Sequence, residues 1–232
     1  MQFSPIGLDF LAENMFRDDK QWYQEHKDIY KRHIIEPLSE LIKSLAPTIE
    51  SIDADMLCNP KRISRLYRDA RYSKGKSIFR DTVWFSFNHG GELFEGAPSY
   101  FVEISPRGFS YGCGYYCASK ESISAIRSMV LDNDSAYLAA QKAFDRLKGC
   151  TLYGDMYKRN HFPNEREEKC NWLNRKDMYL MYQSKDFELL FSDRLADKIK
   201  KDFIAIAPIY HFFMKAESRA IEMRRLSNQQ GN

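Results

Sequence analysis

Apolar residues recur at two different periods along the chain, and the changes of period divide it into three stretches. Before Pro47 the spacing is helical. Leu8, Leu11, Met15 and Phe16 predict an opening helix. Asp18, with Gln21 three residues later, predicts a capping box for a second helix whose buried side carries Trp22, Ile29 and His33. Pro37 falls inside that pattern, so the helix is expected to kink or restart there, because proline has no N–H to offer the preceding turn. The restarted segment carries Leu38, Leu41, Ile42 and Leu45, and Ala46-Pro47 is its predicted end.

Past Asn59-Pro60 the period becomes two. Ile63, Arg65 and Tyr67 alternate with Ser64, Leu66 and Arg68, and Val83, Phe85 and Phe87 alternate with Trp84 and Ser86, which predicts two strands joined by the polar turn Ser73-Lys74-Gly75-Lys76-Ser77. His89-Gly90-Gly91 is the next break. A third strand is expected over Tyr100 to Ile104, then the tight turn Pro106-Arg107-Gly108 and a fourth strand over Phe109 to Tyr116. Gly112 and Gly114 lie inside that strand, where glycine marks a bulge or a close approach of something to the backbone. Short turns between successive strands predict an antiparallel meander.

From Ser119 the helical period returns, through Ile123, Ile126 and Val130 and then, after Asn133-Asp134, through Tyr137, Leu138 and Phe144. Residues 151–175 read as irregular, with a short helix after Pro163, and Met178 to Tyr182 as a last strand. Ser192 is the predicted cap of a long terminal helix through Leu195, Ile199, Phe203, Ile206 and Phe213, interrupted near Pro208. Helices, strands, then helices is the α+β order. The expectation is one α+β domain over residues 1–232, with N-terminal helices in 1–47, an antiparallel sheet in 60–117 and a mainly helical remainder in 119–225.

Composition supports a folded core. Apolar residues make up 44% of the 232 positions and aromatics 14%, far from the profile of a disordered chain. No apolar run approaches the roughly 18 residues of a membrane span, so no membrane partner is expected. The first residues, MQFSPIGLDFL, lack the pattern of a secretory leader, and five scattered cysteines (Cys58, Cys113, Cys117, Cys150, Cys170) point to reduced thiols, which together predict a cytoplasmic location.

Charge alters this picture in one place. Between Lys61 and Arg80 stand eight basic residues and one acid, Asp69, so that segment is +7 in a chain whose total is +3. A mildly acidic body thus carries one strongly cationic stretch, which attracts phosphates, carboxylates or acidic neighbours. Arg68, Arg71, Lys74, Lys76 and Arg80, with Asp69 and Ser73 among them, form the candidate ligand site, since guanidinium forks bind carboxylate and phosphate oxygens in pairs. The competing reading makes Asp69 a counter-ion for Arg68 or Arg71 and leaves the other cations in water.

Ala70 to Ser77 fits a relaxed phosphate-loop pattern, but Arg71 and Tyr72 are bulky and the residues after Ser77 read as strand where such a loop requires a helix. Ser73 and Lys76 have the Ser-x-x-Lys spacing of some acyl-transfer enzymes without a helix to align them. No metal or cofactor is expected. Cys113 and Cys117 on one strand are about 13 Å apart, too far for two ligands at about 2.3 Å from one zinc, and the histidines show no paired metal spacing.

RLYRDARYSKGKSIFR resembles the signature of the domain-of-unknown-function family 2461, in which a strand ending Arg-Asp runs into an Arg, an aromatic, Ser and Lys, then a second Lys and an aromatic-basic pair. DDKQWYQEHK resembles the tryptophan-bearing helix of that family, SYFVEISPRGFSYGCG its hairpin with a glycine-rich second strand, and AIR at 125–127 the helix that follows. The chain departs from the family pattern at Gly75, where an acid is usual, at Ile78, where a proline is usual, and at Asn160-His161-Phe162-Pro163, which stands for a Pro-x-Gly segment. The resemblance implies a single α+β domain and carries no biochemical role. The leading functional expectation is therefore binding of an anionic small molecule beside the Arg68 to Arg80 turn, as a binding protein or as an enzyme acting on that ligand, with Asp69 the only nearby acid able to act as a base. The alternatives are a nucleic-acid module in which Tyr67, Tyr72 and Phe79 interleave with the cations, and an interaction protein that docks an acidic partner.

Overall fold

A computed structural model of the chain describes residues 2–57, 62–69, 77–90 and 96–230. It is an α+β fold with a five-stranded antiparallel sheet between N-terminal and C-terminal helices. Helix α1 spans Pro5–Arg17 and opens on a proline, whose fixed φ and missing N–H suit the first turn. Phe10, Leu8 and Leu11 are buried on it, whereas Phe16, expected on the same face, is exposed. Asp18 ends the helix in the left-handed conformation at φ 52°. The cap of helix α2, Lys20–Glu25, is Asp19 in place of Asp18: its carboxylate accepts from the Gln21 and Trp22 amides, and the Gln21 side chain reaches forward to Glu25.

Helix α3, Lys27–Tyr30, leads into a π-helical turn, Lys31–Ile35, in which the Glu36 N–H bonds to the Lys31 carbonyl five residues back. Pro37 explains the wide turn: it has no N–H for the His33 carbonyl, and the extra residue absorbs the mismatch. That carbonyl faces helix α1 at Gly7, where a side-chain Cβ would lie 2.7 Å from it. The buried face runs through Tyr23, Tyr30, Ile34 and Leu38, which keep ordinary helical spacing, one position beyond the Trp22, Ile29 and His33 that were expected. Helix α4, Glu36–Ile52, does not end at Pro47. Its next turn buries Ile49 completely beside Leu45 and Ile42, a gain that outweighs one lost hydrogen bond.

The sheet strands are β1 Val83–Phe87, β2 Ser99–Ser105, β3 Gly108–Gly114, β4 Cys150–Tyr153 and β5 Tyr179–Ser184, hydrogen-bonded in the order β1-β2-β3-β5-β4. The meander of the first three strands matches the period-two pattern. Strand β4 does not, because residues 150–153 are too few to display alternation; it is defined by its antiparallel pairing with β5, Cys150 opposite Tyr182 through Tyr153 opposite Tyr179. Residues 63–68, expected as a strand, form a short bridge with residues 78–80 and one backbone bond from the Ser64 N–H to the Trp84 carbonyl. Every residue of β3 is buried. Cys117 lies beyond its end and is exposed, while Cys113 is buried within it.

Helix α5, Lys120–Leu131, is capped by the Ser119 hydroxyl, and helix α6, Ser135–Phe144, by the Asp134 carboxylate. Helix α7, Glu167–Leu173, follows Pro163, and the one-turn helix α8, Phe187–Leu190, precedes helix α9, Arg194–Gln230. Helix α9 passes through Pro208 without a break. Phe203, Ile206, Ile209, Tyr210, Phe212 and Phe213 are fully buried around that proline, and this burial holds the helix together across the missing bond. Among the described residues no helix is long and apolar enough to cross a membrane.

The chain forms two compact units. One comprises residues 1–87, 101–111 and 183–202; the other comprises residues 88–100, 112–182 and 203–232. In the first, Phe10 stacks on Trp22 and Tyr30, and Tyr23, Tyr67 and Phe79 close an aromatic cluster with centroids 4.6 to 5.4 Å apart. In the second, Trp172 is surrounded by Tyr137, Phe144 and Phe212 at 5.6 to 6.0 Å, all edge-on to it except Tyr137 and Phe212 with each other.

Candidate functional site

The cationic stretch emerges on the first unit. The Arg68 N–H donates to the Ile78 carbonyl at 2.8 Å and the Arg80 N–H to the Leu66 carbonyl at 2.9 Å, with Tyr67 opposite Phe79 in an antiparallel bridge. Side chains alternate along such a ladder, so Leu66, Arg68, Ile78 and Arg80 share one face and Tyr67 and Phe79 the other. The two aromatics are consumed by the core: Phe79 is fully buried and Tyr67 packs on it and on Tyr23. The two arginines are half-exposed. Arg68 Nε donates to the Phe79 carbonyl at 3.2 Å, and the Arg80 guanidinium lies over the Trp84 ring at 4.7 Å. Neither forms an ion pair with a carboxylate among the described residues. Elsewhere acids are taken: Arg107 pairs with Asp81, Lys198 with Asp202, Lys215 and Arg219 with Asp134, and Arg224 with Glu217.

Of the expected site residues, Arg68 and Arg80 are brought together, and Asp69 is exposed beside Arg68. Arg71, Ser73, Lys74 and Lys76 lie outside the described residues. No helix opens after Ser77, since residues 78–80 pair with 66–68 and lead into β1, as the strand-like pattern requires.

Two acids at this site escape a reading of the chain by its spacing. Asp18 stands 59 residues before Ser77, yet its Oδ1 accepts from the Ser77 hydroxyl at 2.9 Å, the Ile78 N–H at 2.6 Å and the Phe79 N–H at 3.2 Å. Asp69 is thus not the sole acid near the arginines. Only its position beside a helix end marked Asp18, and that suggested a cap. Asp81 follows Arg80 directly, a visible signal, but it turns to Arg107 and Thr82 and is buried. Burial opposes its ionisation, but the hydrogen bonds from Arg107 and Thr82, with the charge of Arg107, prevail and hold its carboxyl below the ordinary aspartate range.

Glu103 on β2 behaves in the opposite way. Burial raises its carboxyl above the ordinary range; the Asp81 charge adds to this and Arg107 opposes it. A carboxyl raised by folding favours the folded state fully below the unfolded pKa, and that contribution is lost as pH rises through the folded value. Glu103→Gln is accordingly expected to raise the melting temperature at pH 7 and to leave it close to the parent value near pH 4. Melting curves of both proteins from pH 4 to 8 check this, and parallel curves would exclude it. Asp81 contributes with the reverse sign, stabilising above its unfolded pKa and losing that contribution as pH falls through its depressed value.

The second unit holds a cleft of about 540 Å³ lined by Gln141, Phe144, Tyr157, Asn160, Cys170 and Asn174 among others. Arg127, from the AIR segment, stands over the Tyr157 ring at 5.1 Å and donates to the Leu173 and Arg175 carbonyls and the Tyr157 hydroxyl. It ties down the segment that borders the cleft, and these bonds occupy its donors. Glu217, almost wholly buried, accepts from the Ser122 hydroxyl and from Arg224, which also reaches the Ser119 hydroxyl. Both groups are internally satisfied. Among the described residues no cluster of three or more His, Cys, Asp or Glu side chains is placed to hold a metal ion.

No curated protein matches the chain. Residues 7–212 match a family of conserved hypothetical proteins, and the match takes in most of α1, the Arg68–Arg80 ladder, the whole sheet and about half of α9. The chain belongs to the DUF2461 family.

Proposed function

We propose that the protein binds a small anion, phosphate- or carboxylate-bearing, on the face that presents Arg68 and Arg80, with Asp69, Arg71, Ser73, Lys74 and Lys76 contributing from the same stretch of chain. One observation carries this reading: two guanidinium groups share a face, each oriented by an uncharged partner, a carbonyl for Arg68 and an indole for Arg80. Adjacent like charges repel, and an anion bridging them removes that repulsion while using the paired donors that guanidinium offers. A nucleic-acid surface is less well supported, because Phe79 is fully buried and Tyr67 packs against it and Tyr23, while Tyr72 lies outside the described residues. The location that goes with this reading is the cytoplasm, supported by the absence of disulfides at Cys113, Cys117 and Cys170.

The test is a thermal-shift series with inorganic phosphate, sulfate, sugar phosphates, nucleotides and dicarboxylates. A ligand at 100 times its Kd stabilises by about 2.7 kcal/mol. At least one compound is expected to raise the melting temperature of the parent and to leave the Arg68→Ala, Arg80→Ala double variant unmoved. Flat curves across the whole set would overturn the proposal.

A further inference from the structure

The anion-binding face is held in shape from a distant part of the chain. Oδ1 of Asp18 accepts three hydrogen bonds in succession from Ser77, Ile78 and Phe79. The Phe79 carbonyl in turn accepts from Arg68 Nε and lies 2.7 Å from the Ser77 hydroxyl, whose single proton it shares with Asp18 Oδ1, and the Phe79 peptide leads directly to Arg80. One carboxylate oxygen therefore anchors the segment against which one arginine rests and from which the other departs. The anchor itself is specially placed: at φ 52° the backbone of Asp18 leaves α1 through the left-handed region, a conformation that asparagine, aspartate and glycine tolerate best. An acid is an unexpected choice beneath a cationic surface meant for anions, because a neutral acceptor makes the same bonds without repelling the ligand.

We infer that Asp18 is a positioning residue of the anion site, fixing residues 77–79 so that Arg68 and Arg80 present their guanidinium groups together, while its negative charge weakens the hold on the bound anion. The inference rests on the anion-binding reading above. It assigns to Asp18 two effects of opposite sign, and two substitutions separate them. Asp18→Asn keeps an acceptor oxygen, suits the left-handed backbone and removes the charge. Asp18→Gly suits that backbone equally and removes both charge and acceptor.

Two quantities are read on the full chain at low salt: hydrogen exchange of the Ile78 and Phe79 amides, and affinity for inorganic phosphate by calorimetry. Asp18→Asn is expected to keep both amides protected and to bind phosphate about three- to tenfold more tightly, as loss of one nearby partly screened charge allows. Asp18→Gly is expected to lose at least about tenfold in protection at both amides, through local opening, and to bind phosphate more weakly than the parent although the same charge is gone. Ser77→Ala is a milder arm that leaves the charge in place: protection and phosphate affinity both fall, by about two- to fivefold. Equal phosphate affinity in Asp18→Gly and Asp18→Asn would reduce Asp18 to a charge and overturn the positioning role. Unchanged protection in Asp18→Gly, or in Ser77→Ala where Asp18→Gly is too unstable to measure, would overturn it as well. If the parent binds neither phosphate nor any other compound of the thermal-shift series, the anion reading and the charge effect fall together, and the exchange arm alone decides whether Asp18 fixes the segment.

Discussion

Gly112→Ala is expected to destabilise the protein by about 3 kcal/mol or more, the range reached when a side chain is forced into closed packing. Gly112 lies in the middle of β3, where β5 passes so close that a methyl group would fall on the Leu180 carbonyl oxygen, well inside van der Waals contact. The atoms in the way belong to the backbone, and they withdraw only if the two strands part. Such a shift threatens the pairing of β5 with β4 on its other side as well, in which Leu180 stands opposite Leu152. Urea unfolding of parent and variant measures the loss, read from the transition midpoint at constant slope. A midpoint within experimental error of the parent would show that β3 and β5 are not in the contact described. Serine at the same position is expected to be no better, since the obstruction begins at Cβ.

Trp172→Ala comes next in size, at about 3 to 5 kcal/mol, the usual cost of emptying a buried aromatic site. Trp172 is fully buried, its indole N–H donates to Gln141 Oε1 at 2.7 Å, and Tyr137, Phe144 and Phe212 meet its ring edge to face. Truncation removes the ring contacts and leaves the Gln141 oxygen without its donor, two penalties that add. For a chain of this length, 1 kcal/mol corresponds to roughly 2–4 °C, so calorimetry is expected to show the melting temperature falling by roughly 6–20 °C. Trp172→Phe, which restores a ring but not the N–H, is expected to recover more than half of the loss. A phenylalanine variant as unstable as the alanine one would place the importance of Trp172 in the hydrogen bond and not in the packing.

Much of the architecture follows from periodicity. Val83, Phe85 and Phe87 come out where alternation places them, because alternating burial is a property of a strand with one covered face, while the glycine-bearing strand after the Pro106-Arg107 turn comes out in place but is buried on both faces. The departures share a cause. Pro47 and Pro208 are helix breakers locally, yet both helices run on, since burial of Ile49 and of the phenylalanines around Pro208 exceeds the cost of one bond. Strand β4 is four residues long and is recognisable only through its partner. Trp22 and His33 give way to Tyr23 and Ile34 because the face that is buried is the one continued at regular spacing through Tyr30 into Leu38 and Leu41 of α4.

The candidate site divides along the same line. By itself the chain determined that its positive charge gathers between residues 61 and 80 and that glycine stands inside the third strand of the meander, since both depend only on which residue types stand near one another in sequence. Only the tertiary structure decided that Arg68 and Arg80 share a face, that Phe79 belongs to the core with Tyr67 packed against it, and that Asp18 reaches the segment which orients both arginines. These are contacts between residues 11 to 61 positions apart. They are set by which surfaces must be buried together, a quantity that no local pattern of residues contains.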